Sequence, residues 1–305
     1  MINNSIYIQS QQEVFDVVIV GSGAGGGMAA HTLTKAGAKV CVLEAGQPFD
    51  PADPKNITQL KWPYESPRRG TGTTRAFGDF DAAYGGWEID GEPYTRKNGT
   101  KFDWFRARMV GGRTNHWGRI SLRFGPDDFK RKSIDGLGDD WPIGYDDMKP
   151  FYDKIDKMLG VFGTNEGLRN DPDGFFLPPP KPRLHELMIK KANKALGIPT
   201  YPSRLSILTK PINSERGSCF YCAQCNRGCS AYADFSSSSV LVKPAMATGN
   251  LTLLPFAMAR EVMTDAATGL ATGVSYVHTG TLQEYSVRGK IVMLAASAGE
   301  TARLL

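Results

Sequence analysis

The sequence predicts an α/β protein whose parallel sheet carries a dinucleotide-binding crossover. Three observations carry that expectation. A short apolar run, Val17 to Val20, is followed at once by G-x-G-x-x-G at Gly21, Gly23 and Gly26. Small and apolar residues at Met28, Ala29, Ala30, Leu33 and Ala36 then give a helix that Gly37 is placed to end. A second apolar run, Val40 to Leu43, closes on the acid Glu44. Continuous apolar runs of this length read as strands buried on both faces, so the stretch is a β-α-β unit with a carboxylate at the tip of its second strand.

Each part has a physical task. Gly21 permits the tight turn out of the strand, Gly23 lets a pyrophosphate approach bare backbone, and Gly26 allows close helix–strand packing. The intervening Ser22, Ala24 and Gly25 complete the loop, and the helix start presents N–H groups to phosphate. Glu44, followed by Ala45, stands at the distance from the glycines at which an acid accepts hydrogen bonds from ribose hydroxyls.

Composition narrows the class. The 305 residues are 41% hydrophobic and 22% charged, which is the balance of a globular chain with ample core for one or two domains. The net charge of +5 is spread out, and the longest basic run is Lys130-Arg131-Lys132, a solvated turn and no nucleic-acid patch. No apolar run approaches the roughly 18 residues of a membrane-spanning helix. The N-terminal stretch lacks a charged segment followed by an apolar core. That predicts a chain without its own secretory leader, hence cytoplasmic, or periplasmic by export in the company of a partner subunit.

Residues 47–100 are broken by prolines and glycines yet hold Trp62, Tyr64, Phe77, Phe80, Tyr84, Trp87 and Tyr94. Aromatic area of that size argues for an ordered excursion over the cofactor. Next comes RARMVGGRTNHWGRISLRF, in which Gly111-Gly112 follows an apolar pair. Such a turn brings backbone against a flat ligand.

The pairing of the first glycine motif with VGGRTNHWG resembles the glucose–methanol–choline (GMC) oxidoreductases, and the Thr-Asn-His-Trp variant resembles the pyranose 2-oxidase and bacterial sugar-dehydrogenase branch. The resemblance implies that the first motif holds FAD and that Val110, Gly111, Gly112, Thr114, Asn115, His116 and Trp117 run beside the flavin ring. His116 matches a histidine that in pyranose 2-oxidases is bonded covalently to the flavin; the other reading is a histidine packed beside it. The implied reaction is oxidation of a sugar or other alcohol at a CH–OH carbon by hydride transfer to flavin.

Farther on, helices are expected at about 146–159, with Pro150 inside or kinking it, and at about 184–196. They would belong to an inserted substrate-side or cap region, 126–214, between FAD-binding segments 14–125 and 215–305. Cys219, Cys222, Cys225 and Cys229 then follow in C-x2-C-x2-C-x3-C. Thiolates this close suit one soft centre: an iron–sulfur cluster, structural zinc, or no metal at all, with thiols or disulfides only. Some bacterial GMC dehydrogenases carry an iron–sulfur cluster at a similar place and pass electrons to a cytochrome subunit. A cytochrome-type or small redox subunit is therefore the implied partner.

The last third reads as strands at 251–254, 261–264, 271–277 and 284–287, then a buried strand at 290–296. In the family that strand ends on Ala-Gly-Ala and starts a helix; here Ser297 stands in the middle. The catalytic pair that the resemblance implies, a histidine with a second histidine or asparagine, lies near the family's C-terminus and has no equivalent among His31, His116, His185 and His278. Two further readings follow: a catalytically incomplete FAD-binding fragment or split-gene subunit, and an NAD-binding protein in which VGGRTNHWG has no task.

Overall fold

The protein is described here by a computed structural model covering residues 4–56, 97–100, 106–223, 225 and 228–305. The aromatic excursion expected within 47–100 falls mostly outside the described residues.

The described chain divides into two compact units: Met1–Trp117 with Gln224–Ser230 and Ser236–Leu305, and Gly118–Ala223 with Ala231–Phe235. The first unit is built on a mixed sheet. Its strands are β1 (Val14–Val20), β2 (Val40–Leu43), β3 (Leu251–Leu254), β4 (Ala257–Thr264), β5 (Ala271–His278) and β6 (Glu284–Leu294). Among the described residues they run in the order β3-β2-β1-β6-β5-β4. β3, β2, β1 and β6 are parallel, and β4, β5 and β6 are antiparallel. Val17 and Ile19 of β1 pack on one face with Ala30, Val40 and Val42, while Val18 and Val20 pack on the other with Cys41 and Leu43. Burial on both faces is why these strands read as unbroken apolar runs. Cys41 is fully buried, and burial pushes its thiol up, as suits a core cysteine.

Helix α2 (Ala24–Lys35) crosses between β1 and β2 and buries Gly26, Gly27, Ala30, His31 and Thr34, one face at helical spacing. Gly37 ends it in the left-handed region at φ +89°. A helix the sequence reading did not foresee, α1 (Asn4–Gln12), packs on the opposite face of the sheet, with Val18, Val20, Cys41 and Leu43. Tyr7 is buried there, donates to the Pro255 carbonyl at 2.5 Å, and packs against Tyr276, Tyr285 and His278.

One expectation needs correcting. The runs 284–287 and 290–296 are not two strands parted by a glycine turn; they form the single strand β6 through Gly289. A Cβ on Gly289 would meet Val18 Cγ2 at 2.6 Å, so this glycine marks a close approach of β1 and no turn. After β6, helix α7 (Ser297–Leu304) begins where a helix was expected. Ser297 takes φ +66°, the left-handed conformation that explains a glycine at this place in the family's usual Ala-Gly-Ala.

The second unit contains α3 (Arg131–Asp135), α4 (Tyr145–Leu159) and α5 (Leu184–Ala195). α4 opens with Asp147 accepting the Gly144 N–H at 2.8 Å and keeps Pro150 inside it. The interior of this unit is held by arginines. Arg119 is paired with Asp234; Arg123 meets Asp153 at 2.7 Å and also Asp156 and Tyr145; Arg204 meets Asp171 and the carbonyl of Pro172. Arg216 donates to the carbonyls of Met158 and Leu159 at the end of α4, each at 3.0 Å, and to Tyr232. Along 119–124 the polarity is inverted: Arg119 and Arg123 point in, and Ile120, Leu122 and Phe124 are exposed.

Gly289→Val would put a branched side chain against Val18 in the centre of the sheet. Overpacking of this kind costs about 1–3 kcal/mol, so the variant should melt several degrees below the parent by circular dichroism. An unchanged melting temperature would show that β1 and β6 are not in close contact there.

Candidate functional site

The site lies within the first unit, where four segments meet: the loop 21–26, the tip 44–46, the stretch 109–117, and the serine run 236–239. The glycines of the first loop divide by what surrounds them. A Cβ on Gly21 would meet the Ala295 carbonyl oxygen at 2.5 Å, and one on Gly26 would meet the Gly21 oxygen at 1.9 Å. Those two glycines are demanded by packing. A Cβ on Gly23 would find nothing within 4 Å, and one on Gly25 would only touch Ala295 at 4.0 Å. Gly23 therefore faces open space at the start of α2, whose N-terminus no side chain caps. Helix N–H groups left without internal partners and an open glycine are the cradle a pyrophosphate takes.

Glu44 is buried at the tip of β2. Its Oε2 accepts from Ser22 Oγ at 2.5 Å and Ser22 N at 3.2 Å, and its Oε1 accepts from Gly46 N at 2.9 Å. Desolvation pushes the Glu44 carboxyl up from the ordinary range, and these hydrogen bonds oppose the shift. A carboxylate offers about four acceptor positions, so three donors from the protein leave room for one ribose hydroxyl rather than two. Ala45 is half-buried beside it.

The second motif docks onto the first. Gly111 N–H donates to Ser22 Oγ at 2.9 Å, which makes a continuous chain from Gly111 through Ser22 to Glu44. Gly111 and Gly112 have φ of +89° and +52°, and a Cβ on Gly112 would lie 3.9 Å from Gly23 Cα. The two glycine loops thus face each other. Val110 N donates to the Gln47 carbonyl at 2.9 Å, and Gly46 is where the strands of chain cross: a Cβ there would strike the Arg108 carbonyl carbon at 1.9 Å.

A single 3-10 turn, Gly112–Asn115, follows. Thr114 Oγ1 donates to the Gly111 carbonyl at 2.5 Å, and Asn115 Nδ2 donates to Val110 at 2.8 Å and Gly112 at 3.1 Å. Asn115 is buried, so its side chain shapes the loop from within. His116 is buried at the end of the turn, 5% exposed, and Trp117 is half-buried.

Sequence reasoning missed the third contributor. Ser236 to Ser239 are all buried, and Val242 ends the π-helical turn that starts at Ser238. Ser237 N donates to Thr114 Oγ1 at 2.8 Å, and Ser238 Oγ donates to Asn115 Oδ1 at 2.6 Å. Four consecutive hydroxyls are no motif, and as sequence they read as a solvated linker.

Among the described residues no three Cys, His, Asp or Glu side chains are placed to hold a metal ion. Cys219 and Cys222 belong to the second unit and Cys225 and Cys229 to the first. None of the four is in a disulfide, and Cys219 Sγ accepts the Tyr221 N–H at 3.3 Å while burial raises its pKa. Two further histidines have structural occupations: His31 Nδ1 lies 3.3 Å from the Leu241 carbonyl, and His278 Nδ1 accepts from Gly280 N and Thr281 N; His185 is exposed on α5.

Comparison with known proteins finds two family matches. Residues 16–52 match the FAD binding domain and residues 188–305 match GMC oxidoreductase. The chain is thus similar to the GMC oxidoreductases in its C-terminal stretch and to FAD-binding domains in its first crossover. It is 28% identical over 303 residues to paromamine 6'-oxidase of Streptomyces fradiae, covering 97% of this chain and 50% of that protein. It is 28% identical to the fructose dehydrogenase large subunit of Gluconobacter japonicus, over 95% of this chain and 53% of that one. The chain spans about half the length of the curated relatives it matches. Among solved structures, pyridoxine 4-oxidase from Mesorbium loti superposes with a TM-score of 0.56 at 21% identity, over 94% of this chain and 50% of that chain, a likeness of fold. FAD is accordingly the dinucleotide of this site, and the open face at Gly23 fits its pyrophosphate.

Gly23→Val should leave the apoprotein folded, because nothing surrounds that position, yet abolish FAD retention. Glu44→Ala strands three donors, at about 1–3 kcal/mol for each left unsatisfied, so it should lower both the melting temperature and FAD affinity. Full FAD occupancy in Gly23→Val, read from the flavin absorbance of the purified protein, would remove the loop from the binding site.

Proposed function

We propose that this chain supplies the FAD-binding half of an oxidoreductase acting on the CH–OH group of a sugar or other alcohol. The observation that carries the reading is the joining of the two glycine loops through Ser22, with Gly23 open and Gly112 facing it. Relatives named for paromamine, 2-methyl-1,2-propanediol and fructose support a hydroxylated donor.

Bound FAD supplies the acceptor for a hydride leaving the alcohol carbon. The residues of this chain divide the remaining work. Gly23 and the first turn of α2 hold the pyrophosphate; Glu44 accepts from a ribose hydroxyl while fixing Ser22; the 110–117 stretch borders the ring. The hydroxyl proton needs a base; His31 and His278 each hold a backbone group through one ring nitrogen, and His185 is exposed on α5 of the second unit. The base belongs to the catalytic half that the family carries toward its C-terminus. The relative named as a large subunit supports a further partner, a cytochrome-type or small redox subunit that accepts the electrons. Cys219, Cys222, Cys225 and Cys229 take no part in this reading.

Loaded with FAD, the 305-residue chain should oxidise alcohols at least about 10²–10⁴-fold more slowly than the same chain joined to the family's second half, the range general-base catalysis contributes. Anaerobic flavin bleaching with a panel of sugars and diols measures this. Fast bleaching by the chain alone would place a base inside it.

Acid precipitation tests the fate of His116. Its ring is buried in protein rather than presented to open space, so the flavin should remain in the supernatant. A yellow pellet would assign the covalent bond.

A further inference from the structure

A buried run of four serines needs four hydrogen-bonding explanations. Ser236 and Ser239 satisfy one another, Oγ to Oγ at 2.6 Å, and Ser238 is taken by Asn115. Ser237, fully buried, is left with a different partner: its Oγ donates to the carbonyls of Ser22 at 2.7 Å and Gly23 at 3.1 Å, the phosphate loop itself. We propose that Ser237 is a positioning residue for the pyrophosphate, holding the loop's carbonyls back so that its N–H groups face the ligand.

The argument is one of peptide geometry. In a trans peptide the carbonyl and the N–H that follows it point in opposite directions. Holding the Ser22 carbonyl toward Ser237 turns the Gly23 N–H away from it, and holding the Gly23 carbonyl does the same for Ala24 N–H. A peptide turned over at either place would aim a carbonyl oxygen at a phosphate, acceptor against anion. The Gly23 carbonyl is also held by the Gly27 N–H at 2.8 Å, the first bond of α2, so the orientation left for Ser237 to select is that of the Ser22–Gly23 peptide, which the glycine leaves sterically free to turn. The same serine reaches the second loop through its own N–H, which donates to Thr114 Oγ1 and through it to the Gly111 carbonyl. One residue thereby sets both sides of the cradle. Its placement also explains Gly27: a Cβ there would fall 1.9 Å from Ser237 Oγ, so the helix gives up a side chain to admit the hydroxyl.

The proposal rests on FAD binding at this loop, and the test separates the two. Dissociation constants are measured for FAD by flavin fluorescence and for ADP and AMP by displacement of FAD, alongside the melting temperature of the apoprotein. In Ser237→Ala the constants for FAD and ADP should rise about five- to tenfold, the loss of one hydrogen bond, while AMP, lacking the second phosphate, should change less than about twofold. A packing role alone would weaken ADP and AMP equally and lower the apoprotein's melting temperature in step, and that result would overturn the assignment.

The swap Gly27→Ala/Ser237→Gly keeps the space filled, because a methyl group takes the place of the hydroxyl. It should melt near the parent and still bind ADP as weakly as Ser237→Ala. Parental ADP affinity in the swap would overturn the assignment, since the hydroxyl would then be dispensable. A parent chain that bound no FAD would overturn the cofactor site and this role together.

Discussion

The structure turns on a buried carboxylate. Glu44 sits at the end of β2 out of reach of water, where a carboxyl group is costly unless donors surround it. Its three donors come from Ser22 and Gly46, and Ser22 in turn accepts from Gly111. One acid therefore locks the first glycine loop to the strand tip and hands the second loop its anchor. The arrangement explains why a residue expected to face the ribose is mostly committed inward. Its contribution to the cofactor is indirect in large part: it decides where the loops stand before any ligand arrives.

The glycines around this acid are not one signal repeated. Gly21, Gly26 and Gly46 exist because another backbone passes where a Cβ would be, Gly111 and Gly112 because the chain needs a left-handed turn, and Gly23 because a ligand needs bare backbone. Ser297 shows the same demand met by a different residue: the turn at the end of β6 keeps its left-handed shape although a serine occupies it, at the modest strain a non-glycine residue bears there. A turn's conformation is thus set by the strands that deliver the chain to it.

The second unit follows another logic. Arg119, Arg123, Arg204 and Arg216 are almost wholly buried, each met by carboxylates or backbone carbonyls. Buried ion pairs of this kind add little stability over apolar packing but punish the loss of one partner, so they specify a single arrangement more than they strengthen it. They also turn the chain's polarity inside out, leaving Ile120, Leu122 and Phe124 exposed while arginines line the interior.

What the sequence determined by itself was mostly local. The β-α-β unit, the acid at its tip, the glycine pair at 111–112, α4, α5 and most strands follow from periodicity and turn chemistry within a few residues of one another. What only tertiary structure decided involves residues far apart. The serine run at 236–239 becomes a clamp because the fold returns it to residues 22 and 114, and no pattern within the run announces that. Gly289 reads as a turn in isolation and is a point of close approach once β1 lies beside it. Arginine reads as surface until a partner buries it. In each case the deciding quantity is the atom that stands a few ångströms away across the fold, and neither periodicity nor spacing along the chain encodes it.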